Sequence, residues 1–421
     1  MKIARVLARE ILASGGMPSV EVKVTLDSGA VGVASVSYGA SAGSKEAAVL
    51  HDWDKHRYGG KGMLKAVDNV NNILSQVVVG MDAEDQRAID ETLIREDGTE
   101  KKSNLGANAI LGVSMATARA TAISQNLALH QYLQKVFNIP LPAEKTGGKL
   151  RLPKPMAVLI EGGKHADNST DLQEYILAVT REQAAKKNVQ MMEEIYQALK
   201  NILKRDGRSI NVGNEGAFAP EGIADNELPI KYIVQAIGEA GYEAGVDAGV
   251  ALDAAASEFY KDGKYELKTE NKILSASELM DMYLAWQDQY PLVSWEDMFS
   301  EFDWDYWAKF KVKSKIPVVA DDLTVTNVAL LQKAINHKVA DAILIKLNQA
   351  GTVTETVDCC LLANQHNFLT IPSHRGGGET NDTFLVDLAV AVGSQWIKVG
   401  PTRGERVCKY NRLMEIEEQL N

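Results

Sequence analysis

Cysteine is scarce: the chain of 421 residues has three, Cys359, Cys360 and Cys408, and two of them are adjacent. That spacing supplies neither a disulfide framework nor a thiolate metal site, so the thiols read as small hydrophobes in a reducing compartment. Basic residues are in deficit as well. The 45 Lys+Arg face 56 Asp+Glu, a net charge of -11, which excludes the basic footprint that nonspecific nucleic-acid binding requires. No apolar run is long enough to cross a bilayer, and no cationic segment followed by an apolar stretch opens the chain. The expectation is a cytoplasmic protein with neither a membrane nor a nucleic-acid partner. With 45% hydrophobic residues, a chain of this length buries a large core and divides into two or three domains.

What is present falls into two patterns. From Arg5 to about Val36, β-formers alternate with turn residues, as in Val20-Glu-Val-Lys-Val-Thr and Gly32-Val-Ala-Ser-Val-Ser, which predicts a meander with one wet face. Helical spacing follows. Lys61 to Val78 sets Leu64, Val67, Val70, Ile73 and Leu74 on one stripe, and Asn108 to Gln131 predicts one long helix rich in Ala, Leu and Ile. Residues 1–140 are therefore expected to form a small α+β capping domain. The polar, glycine-containing stretch Glu144-Lys-Thr-Gly-Gly-Lys-Leu-Arg reads as a linker, and residues 141–421 as the second domain.

In that second part, short apolar runs recur, and several end abruptly in polar or charged residues. They are Met156 to Glu161, Tyr175 to Val179, Val250 to Asp253, Leu292 to Glu296, Ile316 to Asp321, Ala342 to Lys346, Phe368 to His374 and Gln395 to Lys398. Amphipathic stretches such as Ser277-Glu-Leu-Met-Asp-Met-Tyr-Leu separate most of the later ones. Repeated strand-plus-helix units predict an eight-stranded α/β barrel, in which the C-terminal strand ends converge on one face. The converging residues are Asp253, Glu296, Asp321, Lys346, His374 and Lys398.

Three carboxylates from three strands suit a hard cation that takes oxygen ligands, and Mg²⁺ is the natural occupant. Any one of them alone reads equally as a solvated strand end or a helix cap; together, without a cation, they would repel one another. Lys346 has two readings. Beside a metal, its ammonium would be pushed toward the neutral amine that a general base requires. Otherwise it snorkels to solvent or pairs with Asp321.

Further segments carry a family resemblance: Arg9-Glu-Ile-Leu, Gly39-Ala-Ser-Ala-Gly43, Leu105-Gly-Ala-Asn-Ala-Ile-Leu-Gly-Val-Ser, Gln173-Glu174, Gly213-Asn-Glu-Gly, Ala320-Asp-Asp-Leu-Thr-Val-Thr-Asn, Ile345-Lys-Leu-Asn-Gln, Ser373-His-Arg and Lys409-Tyr-Asn. In these the chain resembles the enolase family over essentially its whole length. The resemblance implies a capping domain on a barrel that begins with an irregular ββαα unit, assembled as a homodimer or higher homo-oligomer. It implies reversible dehydration of 2-phosphoglycerate, a small phosphorylated carboxylate, with two Mg²⁺ per site. Asp253, Glu296 and Asp321 would hold the first ion, and Ser41 the second. Lys346 would be the base, Lys398 would stabilise the enolate, and Glu215, supported by Glu174 and Gln173, would protonate the departing hydroxide. His165, His374 and Arg375 would embrace the phosphate, Arg375 as a bidentate fork.

Several positions depart from the family pattern, and they gather in the active-site loops. Gly15 stands for an arginine, Met17 for an asparagine, Ser37-Tyr38 for Pro-Ser, Ala42 for a threonine, Glu161 for an asparagine, Asn214 for an aspartate, Ala217 for a glycine and Met298 for a proline. After Arg375 the family's serine is replaced by Gly376-Gly377-Gly378, one residue longer. Loss of that phosphate contact costs about 1 to 3 kcal/mol and leaves room for a different or larger group. Two alternatives to plain enolase activity follow: a paralogue acting on a modified phosphonate or phosphate, such as a carboxyphosphonoenolpyruvate synthase, or a noncatalytic binding protein.

Overall fold

The computed structural model describes residues 1–39, 45–140 and 150–420. Ser41, Ala42 and most of the expected linker lie outside these. The meander is present: β1 (Ile3–Leu12), β2 (Pro18–Leu26) and β3 (Val31–Ser35) form an antiparallel sheet in that order. A two-residue strand β4 (Tyr38–Gly39) follows. The sheet packs on helix Ala107–Ser124, which is apolar on nearly every face and correspondingly buried nearly all round.

Two helical expectations need correction. The long helix stops at Ser124, because Asn126 takes a left-handed φ of 54°, and a separate helix runs Leu129–Val136. The stripe after Lys61 is also shifted. A π turn, Val70–Leu74, lies between helices Leu64–Asn69 and Ser75–Val78, so the buried face is Met63, Ala66, Val67, Val70, Leu74 and Val78 while Leu64 is exposed.

The barrel is built from β5 (Lys154–Glu161), β6 (Glu174–Val179), β7 (Ala248–Asp253), β11 (Leu292–Glu296), β12 (Val318–Ala320), β13 (Ala342–Ile345), β14 (Leu369–Pro372) and β16 (Trp396–Val399). Between them come a small sheet, β8 (Tyr260–Lys261), β9 (Lys264–Leu267) and β10 (Lys272–Leu274), and the two-residue β15 (Gly377–Gly378). The spatial order is β14-β13-β12-β11-β7-β6-β5-β16. Strand β6 runs antiparallel to both β5 and β7, while the other pairs are parallel. Helices Ala185–Arg205 and Leu228–Glu239 separate β6 from β7, which completes a ββαα start. The last gap closes through a bridge from Ser373 to Lys398, with the His374 amide donating to the Lys398 carbonyl at 3.0 Å. Among the described residues no helix is long and apolar enough to cross a membrane.

A separate apolar cluster fills the barrel interior: Met156, Val158, Ile176, Ala251, Val319, Leu344, Ile371 and Trp396 among others. Side chains on a strand alternate between faces, so the next interior position after several of these is a candidate site residue. Ala251 leads to Asp253, Val319 to Asp321, Leu344 to Lys346 and Trp396 to Lys398, and Ile176 is preceded by Glu174. The apolar plug thus forms the floor on which the polar site stands.

Candidate active site

Register sets the acidic trio side by side. Glu296 lies directly opposite Asp253 across β11 and β7, and opposite Val319 on β12, two residues before Asp321. All three carboxylates are buried. Lys398 reaches among them from across the barrel: its Nζ is 2.7 Å from Glu296 Oε1, 2.6 Å from Glu174 Oε2 and 3.6 Å from Asp253 Oδ2. Burial pulls that ammonium down, but Glu174, Glu296 and Asp253 outweigh it and hold it well above its ordinary range. Glu296 is pushed well up by burial and then by Asp253.

Lys346 pairs with Asp321, whose other oxygen accepts from Gln349 Nε2 at 3.0 Å. Burial lowers the lysine, yet Asp321 more than offsets it and the net direction is upward. The pairing with Asp321 is thus present in this arrangement. The reason is local: the nearest charge to Lys346 is a carboxylate.

On the opposite side, His165 Nδ1 lies 3.6 Å from both Glu174 Oε1 and Glu215 Oε1, and His374 Nε2 lies 3.4 Å from Glu215 Oε2. Glu215 sits on a turn pinned to β5, where the Phe218 amide donates to Leu159 and the Glu161 amide to Phe218. His165 Nδ1, both His374 ring nitrogens and Glu215 Oε2 are buried without a hydrogen-bond partner among the described residues. Such atoms are costly unless a ligand or water satisfies them. Arg375 turns its fork to Glu46, at 3.1 Å and 3.3 Å.

One cavity is lined by His165, Gln173, Glu174, Glu215, Asp253, Asp321, Lys346, His374, Arg375 and Lys398. Glu296 joins it through Lys398. Every expected site residue is thereby gathered except Ser41, which lies outside the described residues. Sequence reasoning missed four others. Asp297 accepts the Asp321 and Asp322 amides at 3.0 Å and 2.8 Å, and the carboxylates of Asp297, Asp321 and Asp322 offer oxygens within 4.8 Å of one another. Both Asp297 and Asp322 directly follow an expected ligand, a signal the sequence did contain. Glu46 and Glu379 stood in no strand-end pattern and left no such trace, whereas Glu161, which closes the apolar run Met156 to Glu161, stood out already as a departure from the family pattern.

The all-oxygen, buried and mutually repelling donor set fits Mg²⁺. Among the described residues Asp297, Asp321 and Asp322 offer oxygens close enough for one ion, while Asp253 and Glu296 face Lys398.

A serine side chain at position 376, next to Arg375, would collide with its neighbours. A Cβ built on Gly376 would lie 2.5 Å from Glu215 Oε1 and 3.2 Å from His165 Cε1, so the volume a serine would need is taken by the acid and the histidine. The neighbouring departures form one contact. Gly377 pairs with Gly39 and Gly378 with Tyr38. Gly15, at φ 72°, places its Cβ direction 3.1 Å from the Gly377 carbonyl, and Ser37 Oγ donates to Glu379 Oε1 at 2.5 Å.

An acidic, lysine-bearing cavity at the mouth of a barrel with a ββαα start is an α/β-barrel architecture of the enolase type. Residues 3–133 match the family model described as Enolase, N-terminal domain, and residues 149–421 match Enolase, C-terminal TIM barrel domain. The chain belongs to the enolase family.

Proposed function

We propose that this protein is a lyase that dehydrates 2-phospho-D-glycerate to phosphoenolpyruvate, with Mg²⁺ held by Asp253, Glu296 and Asp321 and a second ion assisted by Ser41. The observation that carries this reading is the placement of Lys346 and Glu215 in one cavity with the acidic trio. When bound, Mg²⁺ supplies positive charge for the substrate carboxylate and for the enolate that develops from it. Positive charge held by the acidic residues beside it would favour the neutral amine of Lys346, which removes the proton α to the carboxylate and is oriented by Asp321. Lys398, fixed by Glu174 and Glu296, adds a second cation on the enolate side. Glu215, between His165 and His374, delivers a proton to the β-hydroxyl, which leaves as water while the C–O electron pair departs with it. Arg375 exchanges Glu46 for the substrate phosphate, an exchange of one planar anion for another on the same fork.

A second reading is favoured by the Gly376 packing, which removes the serine hydroxyl from the anion end: a paralogue taking a modified phosphonate or phosphate. Purified protein supplied with 2-phosphoglycerate and Mg²⁺, followed by the ultraviolet absorbance of the enol product, separates the two. Turnover that vanishes in Lys346→Ala supports the first. Mg²⁺ binding without turnover sinks it in favour of the second.

A further inference from the structure

Glu161 ends β5 at a position where the family resemblance implies asparagine. Its side chain faces inward because β5 carries a bulge between Val158 and Ile160, after which Glu161 lies directly opposite Glu174. It is completely buried and does not line the cavity. Both of its oxygens accept the Glu215 amide, at 3.3 Å and 3.1 Å. The fit is close: a Cβ on Gly213 would fall 2.6 Å from the Glu161 carboxyl carbon, so the turn carrying Glu215 rests its backbone directly on this carboxyl.

We propose that Glu161 is a positioning residue for Glu215, gripping its amide from behind the cavity wall. Two carboxylates in a dry wall cannot both ionise at low cost. The charged and titratable groups facing Glu161 are Glu215 on its turn, Glu174 on β6, Arg406 beyond β16 and Tyr196 on helix Ala185–Arg205. Burial, and then Glu215, push the Glu161 carboxyl up to about 9.

The inference deepens the proposed function and rests on it only in its kinetic arm. The melting arm uses the whole protein without substrate. Because the folded-state value of Glu161 is raised, the native state retains a proton that the unfolded chain loses, so stability falls as pH rises from about 4.5 to about 9. Glu161→Gln keeps an acceptor for the amide and has no proton to lose. Its melting temperature is expected to match wild type near about pH 5 and to exceed it by at least about 2 °C near pH 8, the gap widening with pH. A gap that does not change with pH overturns the proposal.

In the kinetic arm, Glu161→Ala loses the grip. Dehydration is expected to fall at least about tenfold while exchange of the substrate α-proton with solvent deuterium, the work of Lys346, stays within about threefold. Glu161→Gln restores dehydration at neutral pH and removes the alkaline decline that wild type shows as Glu161 ionises. Equal loss of exchange and dehydration in Glu161→Ala, or an unchanged alkaline limb in Glu161→Gln, overturns the proposal. If Glu161→Ala fails to fold, Glu161→Asn takes its place. Absence of α-proton exchange in wild type counts against the proposed substrate, and the melting arm still decides the role of Glu161.

Discussion

Gly376 and Glu215 touch so closely that the glycine has no room for even a methyl group, its Cβ direction ending 2.5 Å from the acid's Oε1. Restoring a serine at this position therefore pushes Glu215 out of line rather than adding a phosphate contact. Gly376→Ser is expected to lower dehydration by about tenfold or more and to cost about 1 to 3 kcal/mol of stability through overpacking. Steady-state rates and urea unfolding of the variant check both; a gain in substrate affinity would show that the pocket is open.

Base and acid are separable by isotope exchange. Lys346→Ala is expected to abolish exchange of the substrate α-proton with deuterium, a loss of about 10² to 10⁴ for a general base. Glu215→Gln retains the exchange and loses dehydration. Proton NMR of substrate in deuterated buffer reads the first, and product absorbance the second.

The buried carboxylates predict stabilisation by Mg²⁺. At a concentration about a hundredfold above its dissociation constant, a ligand confined to the native state adds about 2.7 kcal/mol, visible as a rise in melting temperature. Asp253→Asn is expected to remove most of that rise. A variant that still responds fully to Mg²⁺ would place the ion elsewhere, for instance among Asp297, Asp321 and Asp322.

Acid stability is expected to depend on Glu379. Its carboxyl accepts from Lys409 Nζ at 3.0 Å and from the Arg375 amide at 2.9 Å. Burial raises it, but Lys409 and then His374 outweigh this and bring it down to about 2. A lowered folded-state value gives stability that is present above about pH 4.5 and lost as pH falls toward about 2. Glu379→Gln is expected to cost about 3 kcal/mol near neutrality, since it strands the buried Lys409, and to flatten the acid limb of a pH series of denaturant midpoints.

Much of this was legible in the chain. The barrel strands announced themselves because most are short apolar runs cut off by a polar or charged residue, and strand alternation then carried Asp253, Asp321, Lys346 and Lys398 to one face. Glu215 and His165 came only through resemblance, since both lie on turns whose shape depends on contacts with β5 and β6 rather than on any local period. The helix break at Asn126 and the π turn after Asn69 were invisible for a related reason: helical spacing reports which residues are apolar, not where the backbone changes pitch. The direction of the Lys346 shift depends on whether a carboxylate or a cation stands nearest, which spacing does not encode. The Gly376-Gly377-Gly378 segment looked like added space because glycine lacks a side chain, yet whether that space is filled is a property of the neighbours.

The ribbon of Tyr38 and Gly39 against Gly377 and Gly378, with Gly15 packed on its edge and Ser37 on Glu379, places residues far apart in the chain within one mechanical part. A Cβ on Gly378 would meet the Tyr38 carbonyl at 2.3 Å, so the two halves are cut to each other's shape. Such residues are inherited usefully only as a set. Converting this chain to the family's usual loops one position at a time would pass through misfitted hybrids, whereas exchanging positions 15, 37, 38 and 376–378 together treats them as what they are, a single interchangeable cassette.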